Sequence, residues 1–96
     1  MAELRLDGQC LQLFGQIDYL NAEEFCQQGY RLLASHSVWP VQVDLSEVEH
    51  GNTLLLAMII QWLRKCPQMD SLGLVKVPNK MLGIIKASHL EHLIVD

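Results

Sequence analysis

Apolar and polar residues alternate along two short stretches near the start of the chain. Residues 4–6 and residues 11–13 each hold one polar residue between two leucines, and an Asp-Gly pair stands between the two stretches. Alternation with a period of two predicts β-strands, and Asp-Gly between such strands is typical of a tight turn. The chain is therefore expected to open with a β-hairpin whose second strand ends at Gly15.

Three later segments show the apolar spacing that is typical of amphipathic helices. The first covers residues 22–35 and follows Asn21, a residue type that favours the start of a helix. The second covers residues 53–66, and the third covers about residues 80–87. The apolar face of the first helix includes Gly29, which would allow a neighbouring element to approach its backbone closely.

The remaining apolar runs predict two more strands, over residues 41–45 and residues 72–77. Residues 92–95 are expected to form either a short last strand or a closing turn. Strands that alternate with helices require crossover connections, so the order of elements predicts an α/β fold. Neither a linker nor a repeat divides the chain, and we interpret residues 1–96 as a single domain.

Composition and charge exclude several classes of protein. Half of the 96 residues are apolar, which is too many for a disordered segment. The net charge of −4 argues against a general nucleic-acid binder, because phosphate binding needs clustered Lys and Arg. The longest apolar run, residues 54–60, is far shorter than the roughly 20 residues of a membrane span. We therefore expect a cytoplasmic protein that does not insert into the membrane.

The sequence contains no recognisable catalytic or metal-binding motif. It lacks a Cys-x-x-Cys pair, a nucleophile elbow, a phosphate-binding glycine loop and a His-Glu-x-x-His motif. His89 and His92 are three residues apart but have no further ligands nearby to complete a metal site. Asp44, which follows apolar residues of a predicted strand, is expected to accept hydrogen bonds from the next turn. The sequence thus predicts a non-enzymatic protein without a metal or a cofactor.

The second helix carries more apolar residues than one buried face requires. The wider apolar arc is expected to face inward and holds Leu55, Leu56, Ile59, Ile60 and Leu63. The other side is expected to face outward and holds Thr53, Leu54, Ala57, Met58 and Gln61. Exposed apolar clusters usually mark an interface, so we interpret the outward set as a partner-binding surface, extended by Tyr30 of the first helix. The alternative is a helix that its own chain buries on both sides.

Asn52 and Thr53 lie where the second helix begins, and we include both in the partner-binding surface. Either residue can cap the free amides of the first helical turn. The Thr53 hydroxyl is also a candidate phosphorylation site, because negative charge is tolerated at the amino end of a helix. The residues alone leave both roles of Thr53 open.

Several short motifs, in this order and spacing, resemble those of the STAS domain family. They are Val-Asp-Leu-Ser-Glu-Val at residues 43–48, Asn-Thr at residues 52–53 before an apolar helix, and Leu-Val-Lys-Val-Pro at residues 74–78. Residues 15–18 are similar to the family's Gly-x-Leu-Asp element, and residues 86–90 continue the likeness. The resemblance implies a single STAS-like domain, with a small mixed β-sheet and helices packed against it.

Within the family, the compact length and the motif arrangement look most like the MlaB-type subunit of the bacterial phospholipid ABC transporter, which maintains outer-membrane lipid asymmetry. The resemblance implies a cytoplasmic subunit, peripheral to the inner membrane, that binds the ATPase subunit and supports its assembly and activity. The alternative is an anti-sigma factor antagonist that is regulated by phosphorylation at Thr53, which matches the family's helix-opening hydroxyl by position. Homodimerisation of the isolated chain stays open.

The chain departs from the family pattern around that hydroxyl. Asn52 stands where members often have Asp, and Leu54 and Leu55 stand where small residues commonly follow. Bulky leucines would crowd a kinase or phosphatase that approaches Thr53. The departures therefore favour a permanent apolar interface over a phosphorylation switch.

Overall fold

The computed structural model describes residues 2–35, 39–49, 53–66, 68 and 71–95. Within these ranges the chain forms four β-strands, three α-helices and one closing turn of 3₁₀-helix. Their bounds are β1 (Ala2–Asp7), β2 (Cys10–Gly15), α1 (Ala22–Ala34), β3 (Val41–Val48), α2 (Thr53–Arg64), β4 (Leu72–Val75), α3 (Asn79–Ala87) and the 3₁₀ turn (Glu91–Leu93).

The strands form one mixed sheet in the order β1-β2-β3-β4. β1 and β2 are the antiparallel hairpin predicted from the alternation, whereas β3 runs parallel to both β2 and β4. Parallel neighbours are joined by right-handed crossovers. The crossover from β2 to β3 and the crossover from β3 to β4 both advance across the sheet in the same direction. As a result, α1 and α2 lie side by side on one face of the sheet. The predicted α/β fold is confirmed.

The core lies between the sheet and the helices. The strands contribute residues that alternate along their length and are almost fully buried, namely Leu11, Leu13, Val41, Val43, Leu45, Leu72 and Leu74. The opposite face of the sheet carries polar residues such as Arg5 and Gln42, which are exposed. The alternation that predicted the hairpin therefore reflects a sheet with one covered face. The other face is open along β1, whereas β4 is buried on both faces.

Gly29 of α1 lies directly against Trp62 of α2. A Cβ atom at position 29 would overlap the indole ring, so only glycine fits there. Trp62 is 0% exposed, its Nε1–H donates to the carbonyl oxygen of Cys26 at 3.0 Å, and its ring stacks on Phe25 with the centroids 6.4 Å apart. The close approach of α1 that was expected at Gly29 is confirmed, and the element that approaches is α2.

Most element boundaries agree with the prediction, but those of α2, β3 and β4 differ. α2 ends at Arg64 rather than at residue 66. β3 continues through Val48 rather than stopping at residue 45, because its last residues pair with Phe14 and Gly15 across an irregularity in the register. β4 ends two residues early, at Val75. Asn21 precedes α1 as expected, but its side chain makes no capping hydrogen bond.

The segment after α3 covers part of the free edge of β4. Glu91–Leu93 forms the 3₁₀ turn, after which Ile94 makes a parallel bridge with Leu74. The backbone N–H of Val95 donates to the carbonyl oxygen of Leu74 at 3.0 Å. Residues 92–95 were expected to form a short last strand or a closing turn. The structure shows a turn followed by a single β-bridge.

The carboxyl end of α3 is closed by His89 in a left-handed conformation, with φ of 59°. The N–H of His89 donates to the carbonyl of Lys86, and the N–H of Leu90 donates to the carbonyl of Ile85. This pair of bonds defines a Schellman motif. Glycine usually occupies the left-handed position of the motif, which here is His89. A residue with a Cβ is strained there by about 1–2 kcal/mol.

His89→Gly is therefore expected to raise the free energy of unfolding by about 1 kcal/mol, because glycine adopts this conformation without strain. Urea denaturation at neutral pH would measure the change. His89→Ala is the matched control, since it removes the imidazole but keeps the Cβ, and it should bring no gain. Equal stabilisation by both variants would contradict the assignment.

Candidate functional site: the outer surface of α2

Three of the residues assigned to the partner-binding surface lie together on the outside of α2. Thr53, Ala57 and Gln61 follow one another at intervals of four residues, and all three are exposed. This spacing places them in a single stripe along the helix. Thr53 is the first residue of α2. We call Thr53, Ala57 and Gln61 the α2 stripe.

Leu54 and Met58 do not lie in the α2 stripe. Leu54 is half-buried and packs against the core, and Met58 is only 4% exposed. The prediction that Met58 faces outward is therefore wrong. Met58 lies one turn before Trp62 on the side of α2 that faces α1, and the close approach at Gly29 covers that side.

The inward set is confirmed for its central members. Leu55, Leu56 and Ile59 are buried. Ile60 and Leu63 are half-buried at the border of the buried surface, although both pack against the core. The alternative of a helix covered on two sides by its own chain therefore holds for much of α2. Asn52, the other residue assigned to the surface, lies outside the described residues.

Tyr30 lies near the opposite end of α2 from Thr53. It lines a groove of about 390 Å³ together with Leu33, Ala34 and Lys65, between α1 and the residues that follow α2. Burial and a hydrogen bond with Cys26 raise the pKa of the Tyr30 hydroxyl, while the nearby Arg64 opposes the shift. Tyr30 is therefore a neutral hydrogen-bonding group at neutral pH. The groove places it near Lys65, one turn beyond Gln61.

The α2 stripe is an uncharged surface on the outside of the helix. Its side chains are small or uncharged and lie beside the half-buried Leu54. A surface of this kind can be covered by another protein without the cost of removing a charge from water.

A polar cluster lies on the face of the sheet opposite the core. Asp44 is 5% exposed, and its Oδ1 accepts a hydrogen bond from the backbone N–H of Ser46 at 2.9 Å, as the sequence predicted. Lys76 lies 3.8 Å from the other carboxylate oxygen. Burial alone would raise the pKa of Asp44, but hydrogen bonds from Ser46, the charge of Lys76 and a hydrogen bond from Gln12 outweigh it and lower the pKa.

The lowered pKa of Asp44 implies a contribution to stability that acid removes. The contribution is complete above the unfolded-state pKa, near 3.9, and is lost as the pH falls through the lower folded-state value. We therefore expect the free energy of unfolding of the wild type to fall below about pH 4 more steeply than that of Asp44→Asn. The urea concentrations at which the wild type and Asp44→Asn are half unfolded, measured at pH 7, 4 and 3, would show this difference. Parallel pH curves for the two proteins would contradict the role of this carboxylate.

The thiols do not have the environment of catalytic nucleophiles. Burial raises the pKa of both Cys10 and Cys66, which opposes formation of the reactive thiolate. His89 and His92 are both exposed. Among the residues that the structure describes, no three His, Cys, Asp or Glu side chains converge on a common point where a metal ion could sit.

Sequence reasoning did not identify Tyr19 and Leu20 as surface features. Both lie in the connection between β2 and α1 and are almost completely exposed. The available signal was two large apolar residues side by side in a segment without secondary structure. The sequence of a connection does not indicate which way its side chains point. Only the structure therefore shows that Tyr19 and Leu20 are exposed.

None of the helices in the described ranges combines the length and the hydropathy that crossing a bilayer requires.

Comparison with known proteins identifies similar chains. A family model described as "Mlab, STAS domain" matches residues 2–96. A chain of the Acinetobacter MlaFEDB complex in the ATP-bound Vtrans2 conformation is 43% identical, with a TM-score of 0.88, and the match covers 97% of this chain and 99% of that chain. For the ATP-bound Vtrans1 conformation, the identity is 43%, the coverage 95% and 96%, and the TM-score 0.86.

More distant structures share the fold alone. An anti-sigma factor antagonist from Mycobacterium paratuberculosis is 19% identical, with a TM-score of 0.74 and coverage of 98% of this chain and 81% of that one. The anti-sigma factor antagonist SpoIIAA in its unphosphorylated form is 12% identical, with a TM-score of 0.76 and coverage of 100% and 87%. No curated protein sequence gives a significant match.

Proposed function

Because this chain belongs to the STAS domain family, and within it to the MlaB type, we propose that it is the STAS subunit of a phospholipid ABC transporter that maintains outer-membrane lipid asymmetry. The observation that carries the proposal is the 43% identity, over nearly the full length of both chains, to a chain of the MlaFEDB complex. In this role the protein is cytoplasmic, and it is held at the inner membrane by its partners.

The partner in this proposal is the ATPase subunit, and the contact is the α2 stripe. Ala57 and Gln61 offer a flat, uncharged surface, and Leu54 beside them gives apolar area. Covering this surface stabilises the ATPase in its assembled state. The ATPase supplies the nucleotide site, and the STAS subunit performs no chemical step of its own.

Ala57→Arg tests the proposed contact. A long charged side chain at the centre of the α2 stripe should prevent the two surfaces from meeting, while leaving the fold intact because position 57 is exposed. We expect the Kd for the ATPase to rise at least tenfold, which corresponds to about 1.4 kcal/mol, and recovery of the ATPase in a pull-down to fall accordingly.

Ala87→Arg is the matched control. Ala87 is also an exposed helical alanine, but it lies at the end of α3. This variant should bind the ATPase as the wild type does. Equal binding by Ala57→Arg and Ala87→Arg would place the contact elsewhere, and absence of ATPase from the wild-type pull-down would contradict the proposed function itself.

A second candidate function is supported by the position of Thr53. This residue is exposed at the start of α2, and the fold is shared with anti-sigma factor antagonists. In that role, phosphorylation of Thr53 would regulate binding to an anti-sigma factor. Mass spectrometry of the protein from its native cell distinguishes the two functions, because phosphate on Thr53 supports the antagonist and copurification of the ATPase supports the transporter subunit.

A further inference from the structure

Tyr19 and Leu20 are the most exposed large apolar residues of the described chain. Tyr19 is 92% exposed and Leu20 is 96% exposed, while the next, Val95, is 57% exposed. An isolated apolar side chain on a surface needs no explanation, but two adjacent ones give a continuous apolar projection. We call this pair the Tyr19–Leu20 tip.

The Tyr19–Leu20 tip is held by a closed set of hydrogen bonds. The Oδ1 atom of Asp18 accepts from the backbone N–H groups of Leu20 at 2.9 Å and Asn21 at 3.1 Å. In return, the Oδ1 atom of Asn21 accepts from the N–H of Asp18 at 3.0 Å, and its Nδ2 donates to the carbonyl of Gln16 at 2.9 Å. These bonds explain why Asn21 does not cap α1.

The segment is also anchored in the core. Ile17, immediately before Asp18, is 2% exposed, so the connection cannot turn inward to cover the tip without losing this contact. The backbone that carries the two apolar side chains is therefore held in position before any partner arrives. Such preorganisation reduces the entropy that binding removes.

Acidic residues follow the Tyr19–Leu20 tip in the chain and also lie at the same edge of the sheet. Glu23 and Glu24 follow it in the first turn of α1 and are exposed. Glu47 and Glu49 are also exposed, and the backbone N–H of Glu49 donates to the carbonyl of Gly15, which places the end of β3 beside the start of this connection. The segments 14–24 and 47–49 contain no Lys or Arg.

The Tyr19–Leu20 tip lies at the same edge of the sheet as the start of the α2 stripe. β2 and β3 are parallel neighbours, so the connection after β2 and the connection after β3 leave the sheet at the same edge. The first leads through Tyr19 and Leu20 into α1, and the second leads into α2 at Thr53. One partner surface can therefore reach both features.

We propose that the Tyr19–Leu20 tip is a second anchor of the ATPase contact, which inserts into an apolar pocket bordered by Lys or Arg side chains on the ATPase. This inference rests on the proposed function and extends it to a part of the chain outside α2. The acidic surroundings distinguish a protein partner from a bilayer, because an anionic membrane surface repels Glu23, Glu24, Glu47 and Glu49. The same charges oppose pairing with a second copy of this chain.

The test is a binding measurement between the purified full-length chain and its ATPase subunit, with the variant Tyr19→Ser/Leu20→Ser. Neither side chain is buried, so the thermal midpoint should remain that of the wild type. We expect at least a tenfold increase in Kd. Val95→Ser is the matched control, because it also removes an exposed apolar side chain but lies at the far edge of the sheet, beyond β4, and it should leave Kd unchanged.

A second pair of changes tests the acidic border. Glu23→Gln/Glu24→Gln should slow association and weaken its dependence on salt, since charge complementarity acts mainly on the rate of encounter. Wild-type Kd values for both the serine and the glutamine variants would overturn the inference and leave the proposed function intact. Failure of the wild-type chain to bind the ATPase would overturn both.

A flotation assay with vesicles of phosphatidylethanolamine and phosphatidylglycerol covers the remaining alternative. We expect the wild-type chain to stay out of the vesicle fraction. If the wild type floats with the vesicles and Tyr19→Ser/Leu20→Ser does not, the inference is overturned in favour of a membrane contact.

Sedimentation measures self-association of the chain. If the wild type dimerises and the same variant does not, the inference is overturned in favour of self-association.

Discussion

Met58→Glu is expected to destabilise the domain strongly, whereas Ala57→Glu, one residue earlier on α2, is expected to leave its stability nearly unchanged. Met58 is 4% exposed and Ala57 is exposed, so only the first change buries a carboxylate. Among the described residues no Lys, Arg or His is buried where it could pair with this carboxylate. The free energy of unfolding should therefore fall by about 4 kcal/mol or more. A domain of this size has only about 5–14 kcal/mol in total.

Urea denaturation of both variants, with Met58→Leu as a control of similar volume, would measure this difference. The control should cost less than about 1.5 kcal/mol, because hydrophobic replacements that conserve volume are well tolerated. Ile59→Asp, at a position that is 0% exposed, should behave like Met58→Glu. If Met58→Glu and Ala57→Glu denature at the same urea concentration, the assignment of position 58 to the core is wrong.

Gly29→Ala is expected to lower the free energy of unfolding by about 1–3 kcal/mol, against the usual trend for helices. In a helix interior, alanine is normally favoured over glycine by about 1 kcal/mol. Here the added methyl group would overlap the indole of Trp62, which is fully buried and held by its hydrogen bond to Cys26. Either the ring or the whole of α1 must then move.

A double-mutant cycle isolates this contact. Trp62→Leu alone should cost about 3 kcal/mol through lost packing. In the Trp62→Leu background, however, Gly29→Ala should become neutral or stabilising, because the ring that it meets is gone. Chemical denaturation of the four proteins would give the coupling energy, which we expect to exceed about 1 kcal/mol. Additive effects of the two changes would show that α1 and α2 do not meet at this point.

The elements of the fold could be predicted because each leaves a local signal. Alternation marks the hairpin, helical spacing marks α1 and α2, and the glycine on the apolar face of α1 marks a close approach. The position of Met58 could not be predicted in this way. Its angular position on α2 is clear from the sequence, but whether that angle faces water or α1 depends on how two helices, far apart in the chain, are placed on the sheet.

The candidate site shows the same division. The exposure of Thr53, Ala57 and Gln61 could be predicted from helical periodicity. The hydrogen bond from Ser46 to Asp44 could be predicted because the two residues are only two positions apart in the chain. The partnership of Asp44 with Lys76 could not be predicted, since it depends on β3 and β4 being parallel neighbours. The exposure of the Tyr19–Leu20 tip depends on side-chain hydrogen bonds that no periodicity reports.

The bridge between Leu74 and Ile94 has a consequence for solubility. A parallel strand at the border of a sheet presents unused N–H and C=O groups that can recruit a strand from another molecule and start aggregation. Ile94 and Val95 occupy that border on the side of β4 away from β3. At the opposite border, β1 carries charged residues at positions 3, 5 and 7, which discourage stacking. Each border of the sheet thus carries a feature that opposes strand pairing between molecules, so we expect little strand-to-strand polymerisation in concentrated solution.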